Sequence, residues 1–171
     1  MTNTGQTSDA AGAQEHAAIL VVDDNKGKRL SIIAALEPLG HEIYEVESGE
    51  AALRAVMNRT FAVILMDVKM PMMDGYETAK LIRLRSESEH TPIIFITAYA
   101  REEAEIPVAY ESGAVDFIFA PFSPTILRAK VAIFVELYLT AFTAIIACSG
   151  HMIHGIFPRK NTYYHDILVH N

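Results

Sequence analysis

Four short apolar runs constrain this chain more than any other feature: ILVVD (Ile19 to Asp23), AVILMD (Ala62 to Asp67), PIIFIT (Pro92 to Thr97) and VDFIF (Val115 to Phe119). Three are nearly continuous rather than alternating, the pattern of parallel strands covered on both faces. A fifth run, HEIYEV (His41 to Val46), alternates, which puts it nearer the edge of the same sheet. Helical stretches fall between them. Leu30, Ile33 and Leu36 share a face, with Gly40 where that helix should stop. Ser48 is placed to cap the next helix, and Gly75 opens another. The stretch from about Arg101 to Gly113 is broken by Pro107 and reads as a short or kinked helix. Ser123-Pro124 supplies a cap followed by proline at the first helical position, and Leu127, Val131, Phe134 and Tyr138 line one side of the last helix.

Strands alternating with helices, joined by short right-handed crossovers, give an α/β fold. It is an open, doubly wound, five-stranded parallel sheet with helices on both faces. In such sheets the functional site lies at the carboxyl ends of the strands. There the first strand ends in Asp23-Asp24, the third in Asp67, the fourth in Thr97 and the fifth just before Ala120-Pro121. Any one strand-end aspartate is ordinarily a helix cap or a solubilising loop residue. Three converging on one crevice repel one another, and a hard divalent cation relieves that repulsion. Mg²⁺ suits a few carboxylates plus water and a phosphate oxygen. Asp67 then becomes a nucleophile toward a phosphoryl group whose charge the metal neutralises, and Thr97 offers a hydroxyl to a phosphate oxygen.

Composition removes several other classes. A chain of 171 residues is one domain's worth, and its formal charge of −7 argues against a basic nucleic-acid footprint. The single cysteine, Cys148, leaves no internal disulfide and fits a reducing cytoplasm. The opening MTNTGQTSDAAGAQEH has neither a basic start nor an apolar stretch, so it is expected to be a disordered leader rather than a signal peptide.

VVDDN, LMDVKMPMMDGYE, FITAYA and GAVDFIFAPF resemble the signature segments of response-regulator receiver domains, in order and at family-like spacing from about Ala18 to Tyr138. The resemblance implies a flavodoxin-like receiver fold with Asp67 as phosphoacceptor. It implies Mg²⁺ held by Asp23, Asp24, Asp67 and the backbone carbonyl of Lys69, and Thr97 and Phe117 as a switch pair. It also implies a two-component signalling protein rather than an enzyme. Its partners would be a histidine kinase or phosphotransfer protein and a downstream protein. Met70-Pro71 and Gly75 match the loop after the phosphoacceptor.

One position departs from the pattern. Where the family carries a lysine before proline, this chain has Ala120. A hydrogen bond to a charged group contributes about 1.5–3 kcal/mol, so its loss is expected to cost roughly 10- to 100-fold in phosphoryl-transfer rate or in coupling to the switch. Lys69, two residues after the acceptor, is either a substitute cation or a solvated surface lysine. Lys26, Lys28 and Arg29 read as the exposed start of the first helix.

The organisation expected is a leader over 1–17, a receiver over 18–139 and a C-terminal extension over 140–171. AFTAIIAC in that extension is apolar, but the uncharged stretch between Glu136 and Ser149 has only 12 residues, too short to cross a bilayer. It is placed to lengthen the last helix and offer a dimer or partner surface. His151 and His154 have helical spacing, but Gly150 and Gly155 weaken a helix there, and a poorly ordered tail is the stronger reading. The chain therefore reads as a cytoplasmic single-domain receiver with no output module. The alternative is an interaction module that works without phosphorylation. Asp23-Asp24-Asn25 lacks the spacing of an aspartate-nucleophile phosphatase, and Asp-Asp-Asn-Lys has the wrong charge for a flavin phosphate loop.

Overall fold

The computed structural model describes residues 16–97 and 115–148, with side chains to residue 144. Five strands form one wholly parallel sheet: β1 (Ala18–Val22), β2 (Glu42–Val46), β3 (Val63–Asp67), β4 (Ile93–Thr97) and β5 (Asp116–Phe119), in the order β2-β1-β3-β4-β5. Four helices accompany them among the described residues: α1 (Lys26–Leu36), α2 (Gly49–Asn58), α3 (Gly75–Arg83) and α4 (Pro124–Cys148). A 3₁₀ turn over Glu37–Leu39 follows α1 and ends at Gly40, whose φ of 71° is the left-handed conformation that glycine adopts without a Cβ penalty.

The continuous apolar runs are explained by what lies on each side of them. Alternate residues of one strand feed two separate cores, as the period of two requires. Leu20, Val22, Ile64, Met66, Ile93 and Phe95 face α2 and α3 through Ala52, Val56, Ala79 and Ile82. Ile19, Val21, Val63, Leu65, Ile94 and Ile96 face α1 and α4 through Ile32, Leu36, Leu127, Val131 and Val135. Burying one such aliphatic side chain contributes about 1.5–3 kcal/mol, so β1, β3 and β4, buried along their whole length, hold the sheet together. The alternating strand β2 is an edge strand, half-exposed along its length, and β5 forms the other edge.

Two expectations for the first helix change. Its buried face is Arg29, Ile32, Ala35 and Leu36, whereas Leu30 is 51 % exposed. The face is set by where the helix begins: Asn25 accepts the Lys28 amide through its Oδ1, fixing the phase one residue away from the one that Leu30 suggests. Ser48 caps α2 by accepting the Ala51 amide, and Gly75 opens α3, both as expected; Asp74 caps α3 by accepting the Glu77 amide. Helix α4 runs past Leu139 without a break to Cys148. No helix among the described residues is long and apolar enough to cross a membrane. The stretch from Arg101 to Gly113 and the histidines at 151 and 154 lie outside the described residues.

Candidate functional site

Register builds the site. Val22 of β1 and Met66 of β3 are direct partners, so the next residue on each strand, Asp23 and Asp67, emerges beside the other at the carboxyl edge. This is the point where the strand order reverses, with crossovers leaving to opposite faces and a crevice between them. Asp24 follows at the rim. One oxygen from each of Asp23, Asp24 and Asp67 lies within 4.8 Å of the other two. Asp23 and Asp67 are buried and Asp24 is exposed.

Asp23 Oδ1 accepts the Asn25 amide at 2.8 Å, which shapes the turn into α1. Its Oδ2 is buried and receives no aligned hydrogen bond. A buried carboxylate oxygen left this way is costly unless a cation faces it. That cation is the Lys28 ammonium, 2.8 Å from Asp23 Oδ2 and 2.9 Å from Asp67 Oδ2. The approach to Asp23 is a charge pairing rather than a well-aimed hydrogen bond.

Lys28 was expected at an exposed helix start, and only Lys26 is there. Arg29 is also inside: its Nη1 donates to the Asp23 carbonyl at 2.6 Å and its Nε to Glu45 Oε2 at 3.1 Å. One clue was legible. A cation in the first helical turn faces the positive end of the helix dipole, an unfavourable interaction of about 0.3–1 kcal/mol. This turn carries two lysines and no acid. Local choices that run against propensity tend to mark sites.

The electrostatics follow from this pairing. Burial pushes the Asp67 carboxyl above the usual carboxylate range, and the nearby Asp23 charge adds to the rise; Lys28 pulls in the opposite direction without overcoming it. Burial lowers the Lys28 ammonium, but its contacts with Asp23 and Asp67 outweigh that and hold it above 10.5. Three carboxylates against one ammonium leave two formal negative charges, which one divalent cation would balance. The donor set is all oxygen, two of the three carboxylates are buried, and Asp23 Oδ2 lacks an aligned donor. These residues fit Mg²⁺.

The rest of the rim is less acidic. Thr97 ends β4 and is buried, one residue beyond the β4 partner of Asp67. Phe117 of β5 pairs with Phe95, ring centroids 5.7 Å apart. The Ala120 amide donates to the Thr97 carbonyl at 2.9 Å, and Ala120-Pro121 is a cis peptide bond. The side chain at 120 is a methyl group and brings no charge. Lys69 has an exposed side chain on the loop after β3. That loop returns tightly: the Gly75 amide donates to the Val68 carbonyl at 2.9 Å, and a Cβ on Gly75 would lie 2.2 Å from the Asp67 carbonyl oxygen.

A family model, the response regulator receiver domain, matches residues 19–132. Among curated proteins, the transcriptional regulatory protein SrrA of Staphylococcus aureus is 40 % identical over 114 residues, covering 66 % of this chain and 46 % of SrrA. The chain thus matches less than half the length of that relative. Among solved structures, the receiver domain of sensor histidine kinase PA1611 of Pseudomonas aeruginosa PAO1 carries a magnesium ion coordinated in its active-site cleft. It is 29 % identical, with a TM-score of 0.66, covering 71 % of this chain and 99 % of that one. The chemotaxis response regulator CheY4 of Vibrio cholerae is likewise 29 % identical at a TM-score of 0.66, covering 70 % and 99 %.

Proposed function

The chain belongs to the response regulator receiver family, and from that premise we propose that it accepts a phosphoryl group on Asp67 and signals by changing which protein it binds. The donor would be a histidine kinase or a histidine phosphotransfer protein. The observation that carries the reading is the meeting of Asp23, Asp24 and Asp67 at one strand-end crevice with a buried carboxylate oxygen still lacking an aligned donor.

In the transfer, an Asp67 carboxylate oxygen attacks phosphorus. The new O–P bond forms as the N–P bond of the donor phosphoimidazole breaks, and the electron pair stays on the imidazole nitrogen. Attack by water later releases inorganic phosphate and regenerates the carboxylate. Asp23, Asp24, Asp67 and the Lys69 backbone carbonyl would hold Mg²⁺, which when bound neutralises charge on the carboxylates and on the phosphoryl group. The Thr97 hydroxyl donates to a phosphoryl oxygen and, with Phe117, forms the element whose two arrangements the phosphate biases. Phosphorylation shifts that equilibrium only through contacts that differ between the two arrangements, and the Thr97 contact is such a one.

The receiver is assigned to 18–139, with residues 140–171 as an extension offering a partner or dimer surface, in a protein of the cytoplasm. The formal charge of −7 favours proteins over nucleic acid as partners. Ala120 favours the second reading, a receiver-like interaction module that works unphosphorylated. The two separate when the protein is treated with acetyl phosphate and Mg²⁺ and weighed intact. A gain of one phosphoryl group, lost in Asp67→Asn, supports acceptance on Asp67; no gain in the unaltered protein leaves the interaction module.

A further inference from the structure

Three observations converge on Lys28. The Asn25 cap makes Lys28 the third residue of α1, and side chains on a helix lean toward its N-terminus, here toward the ends of β1 and β3. Its ammonium sits between two buried carboxylates, 2.8 Å from Asp23 Oδ2 and 2.9 Å from Asp67 Oδ2. On the opposite wall of the crevice, the residue that closes β5 is alanine and supplies no charge. The side chain of Lys28 keeps 31 % of its surface exposed, whereas that of Asp23 keeps 1 %, so the lysine is not sealed in with the carboxylate it pairs with.

Resting on the reading of Asp67 as phosphoacceptor, we propose that Lys28 is the cation that pairs with the acceptor carboxylate and the incoming phosphoryl group, the part that Ala120 cannot play. The positive charge enters the pocket from α1 instead of from the end of β5. Lys28 neither gives nor takes a proton in the step. With an acyl phosphate donor, the Asp67 O–P bond forms, the P–O bond to the acyl group breaks, and the donor leaves as its carboxylate. Throughout, Lys28 is a fixed positive charge facing oxygens whose negative charge grows on transfer. The contrary possibility is that its ammonium only competes with a divalent cation for Asp23 and Asp67.

The test measures the phosphorylation rate with acetyl phosphate at saturating Mg²⁺ by intact mass, and Mg²⁺ binding separately by chemical-shift titration. It uses the full chain and the variants Lys28→Met, Lys26→Met, Ala120→Lys and Lys28→Met/Ala120→Lys. Lys28→Met is expected to lose roughly 10- to 100-fold in rate, while Lys26→Met, which removes the same charge from the exposed side of the same turn, stays within about twofold. Ala120→Lys should recover most of the loss in the Lys28→Met background and add little to the unaltered protein, the non-additivity of two groups filling one role. Lys28→Met with tighter Mg²⁺ binding and an equal or faster rate overturns the proposal in favour of competition. A slow Lys28→Met that Ala120→Lys does not rescue overturns it in favour of a structural role. Should Lys28→Met fail to fold, Ala120→Lys alone decides: a gain of 10-fold or more in the unaltered background means the pocket lacked its cation. If the unaltered chain is never phosphorylated, the acceptor reading itself fails and takes this one with it.

Discussion

Replacing Gly75 by alanine adds one methyl group at the tightest backbone approach beside the phosphoacceptor. The new Cβ would lie 2.2 Å from the Asp67 carbonyl oxygen, 3.0 Å from Val68 Cα and 3.1 Å from the Asp67 carbonyl carbon. All three neighbours are backbone, so no rotamer change relieves the contact. To reach an ordinary separation of about 3.5 Å, the start of α3 must move by more than an ångström from the end of β3. That movement breaks the hydrogen bond from the Gly75 amide to the Val68 carbonyl, now 2.9 Å. Overpacking of this kind costs about 1–3 kcal/mol, and the lost hydrogen bond about 1 kcal/mol more, for a total near 2–4 kcal/mol. For a domain of this size the melting temperature should fall by roughly 10 °C. The phosphorylation rate should drop as well, because the shifted loop carries Asp67 away from Asp23. Gly27→Ala is the matched comparison: its Cβ would meet only Asn25 Oδ1, at 3.2 Å, inside the first turn of α1. Helix propensity favours alanine there by up to about 1 kcal/mol, set against the few tenths of an ångström that the Asn25 cap oxygen must give, so that variant should melt within a few degrees of the unaltered protein and above Gly75→Ala. The measurements are thermal unfolding by circular dichroism and labelling by acetyl phosphate. A Gly75→Ala protein that melts within about 2 °C of the unaltered chain and is labelled equally well refutes the reasoning.

Mg²⁺ titrated into the protein should shift the resonances of Asp23, Asp24 and Asp67, with an affinity on the order of millimolar; Asp23→Asn should weaken it, and unchanged shifts up to tens of millimolar would contradict the site. His41 gives a pH dependence. Burial, aided by the charge of His16, holds its imidazole below the ordinary 6.5, and its Nδ1 is buried without a hydrogen-bond partner. The unfolded chain therefore binds the proton more readily, so stability is full above 6.5 and falls as the pH drops from 6.5 through the lower folded value. Urea midpoints measured from pH 7.5 down to 5 should show that slope, and His41→Gln should reduce it.

Much of this protein is local and was readable in order along the chain. Continuous runs of β-branched and aliphatic residues require cover on both faces, which only a sandwiched parallel sheet supplies, and the two cores split by strand parity confirm that arrangement. The strand ends carried Asp23, Asp24, Asp67 and Thr97 to one edge because every strand points the same way. Ser48 served as a cap acceptor through its hydroxyl, and Gly40 as a left-handed stop because it lacks a Cβ. What the chain alone left open depended on distance and phase. That Asp23 and Asp67 lie side by side follows from β1 pairing with β3 rather than only with β2, a choice made by long-range packing. The face of α1 turned on the Asn25 cap, a one-residue difference that buried Arg29 and exposed Leu30. Lys28, an ordinary lysine by composition, entered the crevice because that phase, with its flexible four-carbon stem, brings the ammonium within reach of two carboxylates from different strands. The unfavourable place of a lysine in the first turn marks it as unusual but does not name its second partner: Asp67 lies far along the chain from Lys28, and only the folded sheet brings it beside Asp23 within ion-pair distance.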